Sequence, residues 1–154
     1  MRPLHTQIAT VFGAGYFPYA SGTFGSLVAL LPGWYLLHLG IWPLIAGAII
    51  SLWVGVWASG EYEARSGVKD HSRIVIDELC GQWIALIPLA VYSPTDSIVA
   101  DLFAAFLLFR LFDIWKPWPI RLIDRHVKGG AGVMFDDVLA GMCAGGILWA
   151  WAVL

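Results

Sequence analysis

Five acidic residues are placed to act together: Asp77 and Glu78 side by side, Asp113 alone, and Asp136 and Asp137 side by side. Each falls where a long apolar run begins or ends, and carboxylates at a hydrocarbon boundary are costly unless paired or bound to a metal. Acids at helix N-termini also complement the macrodipole. That accounts for one acid per helix, but poorly for two adjacent pairs and a fifth acid at the end of a helix running the other way. Carboxylates that converge repel one another unless a cation lies among them. Hard oxygen donors favour Mg²⁺, which keeps several waters and commonly binds phosphate oxygens as well. The metal candidates are therefore Asp77, Glu78, Asp113, Asp136 and Asp137.

The surroundings suit a phosphate. Arg110 and Asp113 are three residues apart and share a helix face, and Lys116 follows one turn later. Gly129-Gly130-Ala131-Gly132 leads into the last apolar run, and Gly22-Thr23-Phe24-Gly25-Ser26 opens the first. Both can present backbone N–H groups to an anion at a helix N-terminus. Arg110, Lys116, Thr23, Ser26, Gly129 and Gly130 are the phosphate-binding candidates. His71 and His126 are the candidate proton carriers. Gly141 and Gly145 form a GxxxG pair suited to close helix packing.

The elements that must position these groups are apolar helices. Hydrophobic types make up 59% of the 154 residues and charged types only 13%, against about 25% in an ordinary soluble domain. No Asp, Glu, Lys or Arg occurs from Pro3 to Gly60. A net charge of -2 with nine basic and eleven acidic residues argues against a nucleic-acid binder. Cys80 and Cys143 lie in apolar runs without ligand spacing and read as small buried side chains. The apolar runs cover residues 23–39, 41–59, 76–92, 98–115 and 138–154. Each has about 17 to 19 residues, or about 25–28 Å of helix, near the lower limit for a bilayer core.

The reading is an all-α, multi-pass membrane bundle in one domain over residues 1–154. It has about five crossings and a short interfacial amphipathic piece at residues 4–12. Five crossings sort all nine basic residues to one side: Arg2, Arg65, Lys69, Arg73, Arg110, Lys116, Arg121, Arg125 and Lys128. The positive-inside rule makes that side cytoplasmic. Asp96 and Asp101 fall on the outer side and serve as controls for the inner five. Trp34, Trp42, Trp53, Trp57, Trp115 and Trp118 mark membrane interfaces and packing.

Four blocks carry a resemblance to a known family. They are Ala20-Ser21-Gly22-Thr23-Phe24-Gly25-Ser26; Asp70-His71 with Ile74-Val75-Ile76-Asp77-Glu78; Phe109-Arg110-Leu111-Phe112-Asp113-Ile114-Trp115-Lys116-Pro117-Trp118-Pro119-Ile120; and Gly129-Gly130-Ala131-Gly132-Val133-Met134-Phe135-Asp136-Asp137-Val138-Leu139-Ala140-Gly141. In this order they resemble the motif series of phosphatidylglycerophosphatase A, over nearly the whole chain. Ala-Ser-Gly-Thr departs from the Pro-Gly-Thr form expected in the first block.

The resemblance implies a Mg²⁺-dependent phosphatase of the bacterial inner membrane, acting at the cytoplasmic face on phosphatidylglycerophosphate to give phosphatidylglycerol. Its acidic motif positions are Asp77, Glu78, Asp113, Asp136 and Asp137, with Lys116 and Arg110 beside them. It also implies a compact bundle around a buried helix, a place the third or fifth run can take. The chemistry expected is in-line attack by water, with Asp137 or Asp77 taking its proton and His71 serving the leaving group. The competing route is an aspartyl-phosphate on Asp113.

Rival readings are a carboxylate-lined small transporter, another phospholipid-headgroup enzyme, and a purely structural membrane subunit. A transport path would continue across the membrane, yet the middle of each run lacks charge. The Pro-Ser-Gly-His block of histidine lipid phosphatases and the carboxylate series of CDP-alcohol phosphotransferases are both missing. A structural subunit leaves the clustered acids unexplained.

Overall fold

The structure, a computed structural model, describes residues 3–69 and 71–154. Arg2 and Asp70, which the sequence reading uses for charge sorting and for the second block, lie outside the described residues. Among the described residues seven α-helices follow one another: α1 (Leu4–Ala9), α2 (Ser21–Leu39), α3 (Ile41–Ser66), α4 (Ile76–Leu86), α5 (Ile98–Trp115), α6 (Ile120–His126) and α7 (Gly129–Val153). Two 3₁₀ segments, Val11–Tyr16 and Ile87–Ala90, interrupt the series, and no strand occurs among the described residues.

All five apolar runs are helical, but among the described residues only α2, α3 and α7 are long and apolar enough to cross a membrane by length and composition. The expected equivalence of five crossings is corrected in two places. The third run is no continuous helix. It has 11 residues of α-helix, about 17 Å, and the 3₁₀ segment around Pro88 extends it. The fourth run, α5, has 18 residues but carries Asp101, Arg110 and Asp113. The last run also begins earlier than expected, at Gly129 rather than residue 138, so Asp136 and Asp137 sit two turns inside α7 instead of opening it.

The N-terminal piece is shorter than the expected residues 4–12 and is docked rather than spread along an interface. Six residues cannot hold a helix alone. His5 and Ala9 are buried, Ile8 packs against the cluster containing Tyr62 and Ile74, and the Val75 N–H donates to the Ala9 carbonyl at 2.9 Å.

The central element is α4, packed against α7, α2, α3 and α5. Eight of its eleven residues are buried, which explains a length that suits a protein interior better than a bilayer. Glycines set its closest approach to α7. A Cβ on Gly81 would stand 2.6 Å from the Asp137 carbonyl oxygen, and one on Gly141 would stand 2.3 Å from the Gly81 carbonyl oxygen. Small residues let backbones touch where no hydrophobic force between helices exists. Asp77 lies one turn before Gly81, and Asp137 one turn before Gly141. The seam that packs the two helices therefore sets their carboxylates face to face.

Asp101, at the opposite end of the bundle, is fully buried and accepts from the Thr95 hydroxyl at 2.7 Å, the Thr95 N–H at 3.1 Å and the Ser93 hydroxyl. It ties down the turn before α5 and is no neutral control; exposed Asp96 keeps that role. Asp101→Ala leaves these donors without their acceptor. It is expected to cost about 1–3 kcal/mol, read as a lower melting temperature, while turnover per folded molecule is unchanged.

Candidate active site

Asp77 and Glu78 occupy the first turn of α4, and Asp137 reaches them from α7. One oxygen from each lies within 4.8 Å of the others. At that spacing and an effective dielectric of about 20, each like-charge pair costs about 3.5 kcal/mol. A counter-charge or a bound proton relieves the cluster. Arg110 supplies part of the counter-charge, standing 3.9 Å from Glu78 and paired also with Asp113. Asp113 in turn faces Asp137.

Three carboxylate oxygens remain buried without a hydrogen-bond partner: Asp77 Oδ1, Glu78 Oε2 and Asp137 Oδ2. Buried polar atoms are nearly always satisfied. One orphaned hard donor from each of three converging side chains fits a small divalent cation such as Mg²⁺, which completes its shell with water and phosphate oxygens.

Asp136 is not in this group of three. Its Oδ2 accepts from Lys116 Nζ at 2.5 Å, and its Oδ1 accepts from the Asp137 N–H. Adjacent helical residues point about a quarter-turn apart, so Asp136 and Asp137 face different neighbours. Lys116 ends α5 with a left-handed backbone, φ +46°, a conformation costing a non-glycine residue about 1–2 kcal/mol. Its ammonium is held there by Asp136 and by Asp124 at 2.8 Å. Burial works against the Lys116 charge, but the bonds to Asp124 and Asp136 outweigh it and raise its pKa above the ordinary lysine value. The same hydrogen bond from Lys116 holds the Asp124 carboxyl below the usual range. Spacing rules miss Asp124, because it meets Lys116 across a turn and not along one helix. Gln82 was missed as well, although the i, i+4 rule places it on the Glu78 face. It is fully buried and neither amide atom has a partner.

The glycine-rich stretches are places where helices pack closely. A Cβ on Gly130 would stand 2.0 Å from the Val56 carbonyl oxygen, so this residue lets α3 and α7 touch. The Ser26 hydroxyl is buried and donates to the Gly22 carbonyl within α2 at 2.9 Å. Gly129 takes the left-handed turn that starts α7, at φ +71°, and Thr23 is half-buried in the first turn of α2. Gly22 belongs to the site by steric necessity, since a Cβ there would stand 2.1 Å from Glu78 Oε1 and 3.3 Å from Arg110 Nη1. The obstructing atoms end flexible side chains. Gly22→Ala is thus expected to displace Glu78 and lower kcat about tenfold or more with little change in melting temperature. Gly130→Ala, which meets rigid backbone, is expected to lower the melting temperature instead.

His71 is not part of the carboxylate cluster. Its ring packs edge-on against Tyr62 with centroids 5.4 Å apart, and its Nδ1 accepts from the Arg73 N–H at 3.2 Å. His126 is exposed, with Nδ1 at 2.8 Å from the Leu122 carbonyl oxygen.

Residues 7–152 match the family described as Phosphatidylglycerophosphatase A. The chain belongs to the phosphatidylglycerophosphatase A family. Phosphatidylglycerophosphatase A of Escherichia coli is 42% identical over 96% of this chain and 83% of its own. The Haemophilus influenzae protein of the same name is 38% identical over 94% of this chain and 85% of its own. A Bacteroides thetaiotaomicron relative, provisionally named a phosphatidylinositol-3-phosphatase, is 42% identical over 90% of this chain and 87% of its own. No solved structure matches the chain. Family membership covers all four blocks and both ends of the α4–α7 seam.

Proposed function

We propose that the protein is a Mg²⁺-dependent phosphatase that hydrolyses phosphatidylglycerophosphate to phosphatidylglycerol and phosphate in phospholipid synthesis. The observation that carries this reading is the trio of buried Asp77 and Asp137 with half-buried Glu78, which holds three orphaned oxygens beside Arg110 and Lys116. The names of the Escherichia coli and Haemophilus influenzae relatives support the substrate. Asp77, Glu78 and Asp137 would hold the metal, with Asp113 and Asp136 flanking it. Bound Mg²⁺ supplies the counter-charge that lets a phosphate dianion approach carboxylates, and it lowers the pKa of a neighbouring water.

The rest of the work falls to the chain itself. Lys116 has three N–H donors, and two are taken by Asp124 and Asp136; the third is left for a phosphate oxygen. Arg110 Nε is buried and unpartnered and can donate to another. Both offer charge-assisted bonds to oxygens that gain charge as the phosphoryl group transfers. Asp137 or Asp77 accepts the proton of the attacking water. His71 packs on Tyr62 outside the cluster; the third Lys116 N–H serves the leaving oxygen, which takes its proton from solvent, and Arg110 serves an equatorial oxygen.

The deciding assay is phosphate release by the detergent-solubilised protein, with and without Mg²⁺. Phosphatidylglycerophosphate and phosphatidylinositol 3-phosphate are compared, since one relative is named for a phosphoinositide. Faster turnover of the inositol lipid would replace the headgroup assignment, and no release from either would overturn the reading. A transporter leaves the paired Lys116 and Arg110 without a task at one end of the bundle.

The site faces the cytoplasm of a bacterial inner membrane, with α2, α3, α4, α5 and α7 embedded and α4 sheltered among the others. Charge sorting supports this orientation. Reporter fusions after Gly40 and Thr95 are expected to read as periplasmic and one after Lys69 as cytoplasmic. The reverse pattern would move the site to the outer face.

A further inference from the structure

Arg121 and Arg125 stand one turn apart on the exposed face of α6, and neither forms an ion pair among the described residues. Arg65 is paired with Glu61, Arg110 with Glu78 and Asp113, and Lys116 with Asp124 and Asp136; Arg73 lies over the Tyr16 ring, and Lys69 and Lys128, like the two arginines, form no ion pair among the described residues. The two free guanidinium groups border a cavity of about 400 Å³ that is also lined by Trp115, Trp118, Leu122 and His126. Trp115 is 63% exposed and Trp118 81%. The cavity lies where the apolar surface of α5 ends, the level at which exposed indoles meet lipid headgroups. The neighbouring face of α6, about a quarter-turn away, belongs to the catalytic side, with Ile120 buried and Asp124 on Lys116 at 2.8 Å. The cavity and the phosphate site thus share α6 and the turn that carries Lys116.

We propose that this cavity holds the phosphodiester of the same lipid whose terminal phosphate is hydrolysed. The inference rests on the phosphatase reading and makes it more specific. The substrate would be recognised at two phosphates, the monoester beside Lys116 and the diester between Arg121 and Arg125. A guanidinium group presents a planar fork that matches two phosphate oxygens. The indole faces and Leu122 cover the apolar part of the headgroup and the first carbons of the acyl chains. Phosphatidic acid carries a monoester and no diester, so it cannot occupy both places. The cavity is then a specificity device.

The test uses the full chain in neutral detergent micelles. Phosphatidylglycerophosphate is compared with phosphatidic acid and glycerol 3-phosphate, the last two serving as substrates or, where turned over too slowly, as competitive inhibitors. For the double variant Arg121→Gln, Arg125→Gln, the KM for phosphatidylglycerophosphate is expected to rise roughly 10- to 100-fold with kcat within about twofold. The KM or Ki of the single-phosphate compounds is expected to stay unchanged. Lysine at both positions keeps charge without the fork and is expected to recover part of the KM. Arg65→Gln, on exposed α3 surface, controls for loss of a positive charge.

An equal rise for both lipids would overturn the proposal in favour of general attraction to an anionic surface, and no rise would overturn it outright. Should the double variant fail to fold, the unmutated protein gives the answer. Glycerophosphoglycerol, which carries only the diester, is expected to compete with phosphatidylglycerophosphate and not with glycerol 3-phosphate. Competition with both or with neither would overturn the proposal. If the unmutated protein releases phosphate from none of these compounds, the phosphatase reading itself fails, a result separate from any effect of the arginines.

Discussion

Asp137→Asn is expected to abolish phosphate release and at the same time raise the melting temperature of the metal-free protein. The two effects have one cause. Asp77, Glu78 and Asp137 bring one oxygen each within 4.8 Å in a buried place, where each like-charge pair costs about 3.5 kcal/mol at an effective dielectric of about 20. Asparagine keeps the size and removes one of the converging charges, so the empty cluster relaxes. The same change removes a hard metal donor and a candidate base. The loss in kcat is expected to be about 10³-fold or more, equal to about 4 kcal/mol of barrier. Asp77→Asn and Glu78→Gln are expected to behave alike, and Asp96→Asn to do neither. Turnover by Asp137→Asn within about tenfold of the parent would remove Asp137 from the site. A fall in melting temperature would show that the residue is there for packing.

Removal of Mg²⁺ is the second large effect. Excess EDTA is expected to stop turnover, and added Mg²⁺ to restore it. The physical reason is that a phosphate dianion cannot approach several carboxylates unless a cation lies between them. A readout independent of turnover comes from linkage. A ligand that binds only the folded state at 100 times its Kd stabilises by about 2.7 kcal/mol. Mg²⁺ is therefore expected to raise the melting temperature of the parent and to lose that effect in Asp137→Asn. Full activity in EDTA would return the protein to a metal-independent class. Activity lost without any thermal shift would place the metal on the substrate instead of the carboxylates.

How much of this was legible beforehand differs from element to element. Residues 98–115 were read correctly to the residue, because Ser97 caps α5 and a left-handed Lys116 with Pro117 ends it. The last helix was placed too late. Gly129 to Gly132 reads as the lead-in to the last apolar run, since glycine weakens an exposed helix, yet Gly130 is already helical and its lack of a side chain lets α7 lie against Val56. The third run was read as a full crossing because its composition is apolar throughout. Composition does not distinguish a helix facing lipid from one enclosed by four others. Asp101 reads as an outer-side control equal to Asp96, since its partners Ser93 and Thr95 meet it only through the fold of one turn.

The sequence by itself determined the all-helical class and the family. Apolar runs of helical length need a bilayer or a buried interior, and the acids at their ends marked the place where a site was to be sought. The four blocks also carried the family. Tertiary structure alone decided which carboxylates meet. Five acids near one end of a bundle are compatible with many pairings. Contact of Gly81 with Gly141 selects Asp77, Glu78 and Asp137, the separate directions of neighbouring side chains send Asp136 to Lys116, and Asp124 arrives from a helix the sequence did not announce. Side-chain types fix what a site can do, but distances of a few ångströms between helices depend on packing, and packing is a property of the whole chain.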